Sequence, residues 1–230
     1  MAKVPLGGDM QEHPKATDQE KEIQHAGPFV TISRQYGCYG FSLGLLLMEI
    51  LNDEPADSAH IWRIYQKEIL SRLASETRQA AEVLERERTA KPRLFLDFFR
   101  AFKRDRVPSG YEIRNRMTTL IRNLAIEGHA IIIGQGGAGA THDLPNGLSV
   151  RLEAPLEWRV KEVAFREGHT ETEARLSVRT KESERAYLEK IYQMRFPRKP
   201  AFHIVYDCSV FTLAHIAQQV VYALKMKRLI

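Results

Sequence analysis

Cysteine is nearly missing from this chain: only Cys38 and Cys208 occur in 230 residues. Two thiols exclude a disulfide framework and every cysteine-based zinc site, and they fit a reducing, cytoplasmic setting. Long apolar runs are missing too. None approaches the roughly 18 residues of a membrane span, so no membrane partner is expected. No zinc spacing, RNA-binding aromatic motif or helix-turn-helix pattern appears. The net charge of +5 suits a polyanionic ligand, for which nucleotides qualify as well as nucleic acid. Without those motifs no nucleic-acid partner is expected, and a nucleic-acid-binding protein is an alternative supported by the basic charge alone. Residues 1–27 lack an apolar signal core. They are polar and mixed in charge, with Pro5 and Pro14, and are expected to be a disordered tail rather than a targeting segment. The chain as a whole is 43% hydrophobic, enough for one real core over 28–230.

What is present is a strand, a glycine loop and a buried helix in succession. Phe29-Val30-Thr31-Ile32 is apolar and largely β-branched, and stops at Ser33-Arg34. Gln35-Tyr36-Gly37-Cys38-Tyr39-Gly40 is turn-rich, and Phe41 to Leu51 is dense in Leu, Met and Ile. A loop of this kind places unpaired N–H groups and the helix dipole where they favour a phosphate. The glycines alone fit an ordinary βα turn equally well. Against the phosphate-loop signature the match is partial. Gly37 fits a loop glycine and Ser42 falls at the Mg²⁺-binding hydroxyl, but Gly40 occupies the place of the lysine. A helix N-terminus at this point would also lower the pKa of Cys38 and make it the more reactive thiol.

Ser33-Arg34-Gln35-Tyr36-Gly37-x-x-Gly40 resembles the S-R-x-x-G-S-G-G loop of the cytidylate kinase-like family, whose loop also lacks the lysine. Three further segments are similar to that family in the same order. They are Tyr65-Gln66-Lys67-Glu68-Ile69, Ala130 to Gly136, and the run Val150 to Val160 that holds Ala154-Pro155-Leu156-Glu157-x-Arg159. The resemblance covers roughly 28–224. It implies a three-layer α/β phosphate-loop fold with a parallel sheet and a helical lid over about 168–200. It also implies phosphoryl transfer from ATP, with Mg²⁺, to a nucleoside monophosphate such as CMP. Ser33, Arg34, Gly37, Cys38, Tyr39, Gly40, Phe41 and Ser42 would then hold the donor phosphates, with Ser42 on the metal. Gln135 and Gly136 stand where the family has an arginine and an aspartate for the monophosphate. Gln135 can hydrogen-bond but cannot offer a charged fork.

Gly134-Gln135-Gly136-Gly137-Ala138-Gly139 also spells G-x-G-x-x-G. A dinucleotide fold needs a long helix directly afterwards, and Pro145 and Gly147 stand in the way, so that reading is rejected. Arg179, Glu182 and Arg185 are spaced i, i+3, i+6 and share one broad helix face. Such runs are ordinarily solvated and salt-bridged. In nucleoside monophosphate kinases an R-x-x-[DE]-x-x-R pattern here forms the lid, which makes Arg179 and Arg185 the expected catalytic arginines. The altered loop supports a different reading as well: a degenerate kinase that binds nucleotide as a regulatory or interaction module.

Elsewhere the spacing predicts helices within Ala59–Arg88, over Tyr111–Glu127 with Gly128 as C-cap, over Leu156–Arg166, and over Val210–Lys227. Phe95, Phe98, Phe99 and Phe102 are expected to be core or cover for a cleft. Thr170 and Glu173 spell a capping box.

Overall fold

The computed structural model describes residues 27–53, 60–66, 110–195 and 202–230. The expected tail up to residue 26, the Phe95–Phe102 group and the predicted helical stretch beyond Gln66 lie outside the described residues. Within them run strands β1 (Phe29–Arg34), β2 (Arg63–Tyr65), β3 (Ala130–Ile133), β4 (Gly147–Glu153) and β5 (Ile204–Asp207). The helices are α1 (Gly40–Asn52), α2 (Gly110–Glu127), α3 (Gly137–Ala140), α4 (Leu156–Glu167), α5 (Glu171–Arg195) and α6 (Leu213–Met226).

The five strands form one parallel sheet in the order β2-β3-β1-β4-β5. β1 is its centre, with Val30 level with Ile131 on one side and Leu148 on the other. The near-continuous apolar strands follow from helices covering both faces. On one face Val30, Ile32, Ile131 and Ile133 pack with Leu43 and Leu47 of α1 and Ile216 and Val220 of α6. Each is at most 1% exposed, and burial of that completeness is worth on the order of 1.5–3 kcal/mol per side chain. On the other face α3 lies so close that a methyl group on Gly137 would meet Ile132 Cγ2 at 3.1 Å and Thr31 Cγ2 at 3.4 Å. α2 buries Met117, Ile121 and Leu124. This is the expected three-layer α/β arrangement.

One prediction fails at β2. Ile61 and Ile64 fit a helical spacing, yet Arg63–Tyr65 is an edge strand paired with β3. Three residues are too few for alternation to announce a strand, and the pairing that fixes them comes from residues 130–132. The capping box forms as spelled: Glu173 N donates to Thr170 Oγ1 at 3.3 Å, and Thr170 N donates to Glu173 Oε2 at 2.9 Å. Gly128 takes φ +82 after α2, the left-handed C-cap conformation. α5 is one continuous helix to Arg195, so 171–195 of the expected lid is helical; residues 196–201 lie outside the described ones.

A second, smaller core joins α4 to α5 through Val160, Val163, Ala174 and Val178, and Tyr36 from the glycine loop belongs to it. That loop is therefore fastened to the sheet on one side and to the α4–α5 pair on the other.

Candidate functional site

A parallel sheet gathers its strand ends, and the turns after β1, β3 and β4 meet at one edge. The turn after β1 is residues 35–39. It is tied to β4 by Gln35 N donating to Leu152 O at 2.9 Å and by Ala154 N donating to Gln35 Oε1 at 3.0 Å. Gly37 takes φ +98, which favours glycine. A Cβ there would also lie 2.8 Å from Arg159 Cβ, so glycine lets α4 reach the loop. The chain tightens through Cys38 N to Gln35 O at 3.3 Å and Gly40 N to Cys38 O at 2.9 Å. α1 then closes its first turn with Leu43 N to Tyr39 O at 3.0 Å. The N–H groups of Phe41 and Ser42, in that first turn, have no intrahelical carbonyl to serve. They sit at the positive end of a 13-residue helix.

Behind the loop stands a set of side chains, several of which, Arg159, Glu162, Glu167 and Lys181 among them, sequence reasoning gave no role. Arg159 is 5% exposed. Its Nε donates to Ala154 O at 2.8 Å, its Nη1 donates to Tyr36 O at 3.2 Å, and it forms an ion pair with Glu182 of α5. Tyr36 donates to Glu167 Oε1 at 2.5 Å and accepts from Lys181, whose ammonium also lies 4.1 Å from the Tyr36 ring centroid. Tyr39 donates to Glu162, and the Arg166 guanidinium lies 5.3 Å from its ring. Burial, and next the bond to Glu167, push the Tyr36 hydroxyl up to about 12. Burial and the bond to Glu162 do the same for Tyr39. The early signal was the place of Arg159 in the segment Ala154-Pro155-Leu156-Glu157-x-Arg159 that is similar to the family.

The predicted residues fall as follows. Ser33 accepts from Arg151 Nη1 at 3.2 Å. Phe41 and Ser42 are exposed in the first turn of α1, as a metal-binding hydroxyl would require. Gln135 and Gly136 form the turn after β3 with φ +56 and +75, and Gln135 Oε1 is buried with no hydrogen-bond partner. Arg179 is exposed on α5. The hydrogen bond from Arg175 holds Glu157, at the start of α4, below the usual carboxylate range, and the charge of Arg179 adds to this. Glu182, on the same predicted face, turns instead to Arg159. The side chain of Arg185 lies outside the described ones.

The expectation for Cys38 is overturned. Its thiol is 6% exposed and belongs to the main core. A hydrogen bond shared with Cys208, and burial, raise its pKa, while the same bond lowers that of Cys208. The helix field acts on the loop's backbone, but this side chain points the other way, into the sheet. The Rossmann spelling after β3 is followed by a helix of only four residues, as its rejection requires.

Residues 29–210 match the cytidylate kinase-like family. The chain belongs to that family. No curated protein matches it. Among solved structures it is similar to an uncharacterized protein from Eubacterium ventriosum, with TM-score 0.57 and 17% identity over 86% of this chain and 98% of that one. A shikimate kinase from Bacteroides thetaiotaomicron aligns more loosely, with TM-score 0.48 and 11% identity over 86% and 98%. At 17% identity the first of these likenesses is one of fold. The cytidylate kinase-like chain has no helix among its described residues long and apolar enough to cross a membrane.

Proposed function

We propose that this protein transfers a phosphoryl group from ATP to a nucleoside monophosphate of the cytidylate kind. The observation that carries the proposal is the glycine turn between the central parallel strand and α1, with Gly37 at positive φ and free first-turn amides, in a chain of the cytidylate kinase-like family. Chemistry of this type needs positioning and charge neutralisation rather than covalent work by the protein. The stretch from Ser33 to Ser42 would hold the donor phosphates through its amides and Arg34. Gln135 and Gly136 would face the monophosphate. Arg179 and Arg185 would close over the phosphates from α5.

The residues present fit magnesium. Ser42 offers one exposed hydroxyl, which suits an ion that keeps several waters and is otherwise held by substrate phosphates. Among the described residues no group of three metal-ligating side chains builds a protein-only site. Ser42 would hold the ion together with the nucleotide, and the ion would supply positive charge to the donor's phosphates. The free thiols of Cys38 and Cys208 suit a reducing compartment, and we assign the protein to the cytoplasm on that ground.

The test is ADP release with Mg·ATP and a panel of monophosphates. Turnover with at least one acceptor is expected. Arg179→Ala and Arg185→Ala should each lower kcat by roughly 10²-fold with much smaller changes in ATP affinity, as for groups acting mainly in the transition state. Full kcat in both variants would remove the lid assignment. Absence of turnover with every monophosphate would leave the second reading, a nucleotide-binding module. Gly40 in place of lysine and Gln135 in place of arginine are the observations that favour it.

A further inference from the structure

A phosphate loop without its lysine needs its positive charge from elsewhere, and the packing around Gly40 shows where the lysine's volume has gone. A methyl group on Gly40 would lie 3.1 Å from both Cγ and Cδ of Arg34 and 3.4 Å from its Nε. A methyl group on Gly134, in the turn after β3, would lie 1.8 Å from Arg34 Nη1 and 3.0 Å from its Cζ. The arginine leaves the last position of β1, lays its stem along the first residue of α1, and rests its guanidinium on the neighbouring strand's glycine turn. Two glycines on two different elements are thus shaped around one side chain. A side chain at position 40 and Arg34 compete for the same space.

We propose that Arg34 replaces the phosphate-loop lysine in both space and charge, and that Gly40 is glycine because Arg34 passes over it, while Gly134, held at φ +70, leaves room for the guanidinium. This rests on the nucleotide-kinase reading above and names the group that neutralises the donor's phosphates within it. The guanidinium stands between the N-terminal turn of α1, which carries the loop's free amides, and the turn that carries Gln135. From there it reaches the phosphates that donor and acceptor bring together. A guanidinium also offers a planar two-donor fork that an ammonium lacks. Lysine at position 40 would have to displace the Arg34 stem that now lies there, so the two cations are alternative solutions.

The experiment measures binding of Mg·ATP and of inorganic triphosphate by calorimetry, together with turnover, for the full chain and four variants. Arg34→Ala should weaken both ligands by roughly tenfold or more, as loss of a charge-assisted contact implies. Gly40→Ala should weaken them in the wild-type background and cost little further in the Arg34→Ala background, because the two changes act through one side chain. The double variant Arg34→Ala/Gly40→Lys should recover a large part of the lost affinity, a rescue that a merely structural arginine would not give. Equal triphosphate affinity in wild type and Arg34→Ala overturns the proposal while any observed turnover leaves the kinase reading standing. An equal cost of Gly40→Ala in both backgrounds also overturns it, since Gly40 would then serve the approach of the phosphate itself. Arg34-dependent triphosphate binding without turnover supports it and sinks the kinase reading. Failure of the wild type to bind either ligand sinks both.

Discussion

Two glycine turns meet at the sheet's edge, and they are built to opposite standards. The turn after β1 is held from every side. Its backbone bonds to β4, Arg159 donates to its Tyr36 carbonyl, and both of its tyrosine hydroxyls bond to glutamates of α4. The turn after β3 is left with an open account. Gln135, a non-glycine residue, sits at φ +56, a conformation disfavoured for such a residue. Its amide oxygen is buried without a partner, at a cost of about 1–3 kcal/mol. The first turn is fixed by its own bonds, whereas the second carries strain and an acceptor that a ligand could serve. On the proposed function the first holds the donor and the second meets the acceptor.

The largest expected effect breaks the well-held turn. Arg159→Met would keep most of the side-chain volume but remove the charge, leaving the Tyr36 carbonyl unserved and Glu182 without its partner. Glu182 is 32% exposed and water can serve it, so the cost is set mainly by the unserved Tyr36 carbonyl and is about 1–3 kcal/mol. The melting temperature should fall clearly, and nucleotide binding should weaken with it because the loop loses the guanidinium that ties its Tyr36 carbonyl to α4. A variant that melts like the wild type would show that Arg159 does not fasten the loop.

The next sharpens the contrast from the other side. Gln135→Arg returns a charged fork to the turn after β3. Monophosphate affinity should rise roughly tenfold, the scale of one added charge-assisted hydrogen bond, while affinity for ATP stays level. A rise in ATP affinity alone would place this turn on the donor side.

Alkaline pH separates the turns more gently. Tyr36 and Tyr39 have folded pKa values of about 12 against an unperturbed value near 10. Between those values the unfolded chain has lost the tyrosine protons that the folded chain keeps. Stability from these groups is therefore complete below about pH 10 and is lost as pH climbs toward about 12. The alkaline limb of the unfolding profile should flatten in Tyr36→Phe. An unchanged limb would mean that the Tyr36 hydroxyl is not held as described.

How legible all this was follows from the range of each contact. The first strand, the βα turn and the capping box rest on neighbours in sequence or on apolar runs, and they read directly from Phe29–Ile32, Gln35–Gly40 and Thr170–Glu173. β2 did not, because its identity is a pairing with residues 130–132. Arg159 could be quoted in a motif but given no role, since its partners Tyr36 and Glu182 lie 123 and 23 residues away. The glycine loop was legible as a loop. Its side chains were not: Cys38 turns to Cys208 in the core and Arg34 passes over Gly40, and both follow from the strand order.

The smallest effect tests whether the turn after β3 is strained for a purpose. Gln135→Gly would remove the side chain from a left-handed backbone position and take its unpartnered amide out of the protein. Relief of the strain and of the buried oxygen favours the folded state. The added freedom of glycine in the unfolded chain opposes it by about 0.4–1 kcal/mol. The balance predicts a melting temperature equal to the wild type or slightly higher, by less than about 1 kcal/mol of stability. Turnover should fall at the same time, through a raised KM for the monophosphate. Stability and activity moving in opposite directions is the signature of a residue kept for contact rather than for the fold. A drop in stability would instead show that Gln135 is part of the scaffold, and the two turns would then differ in geometry alone.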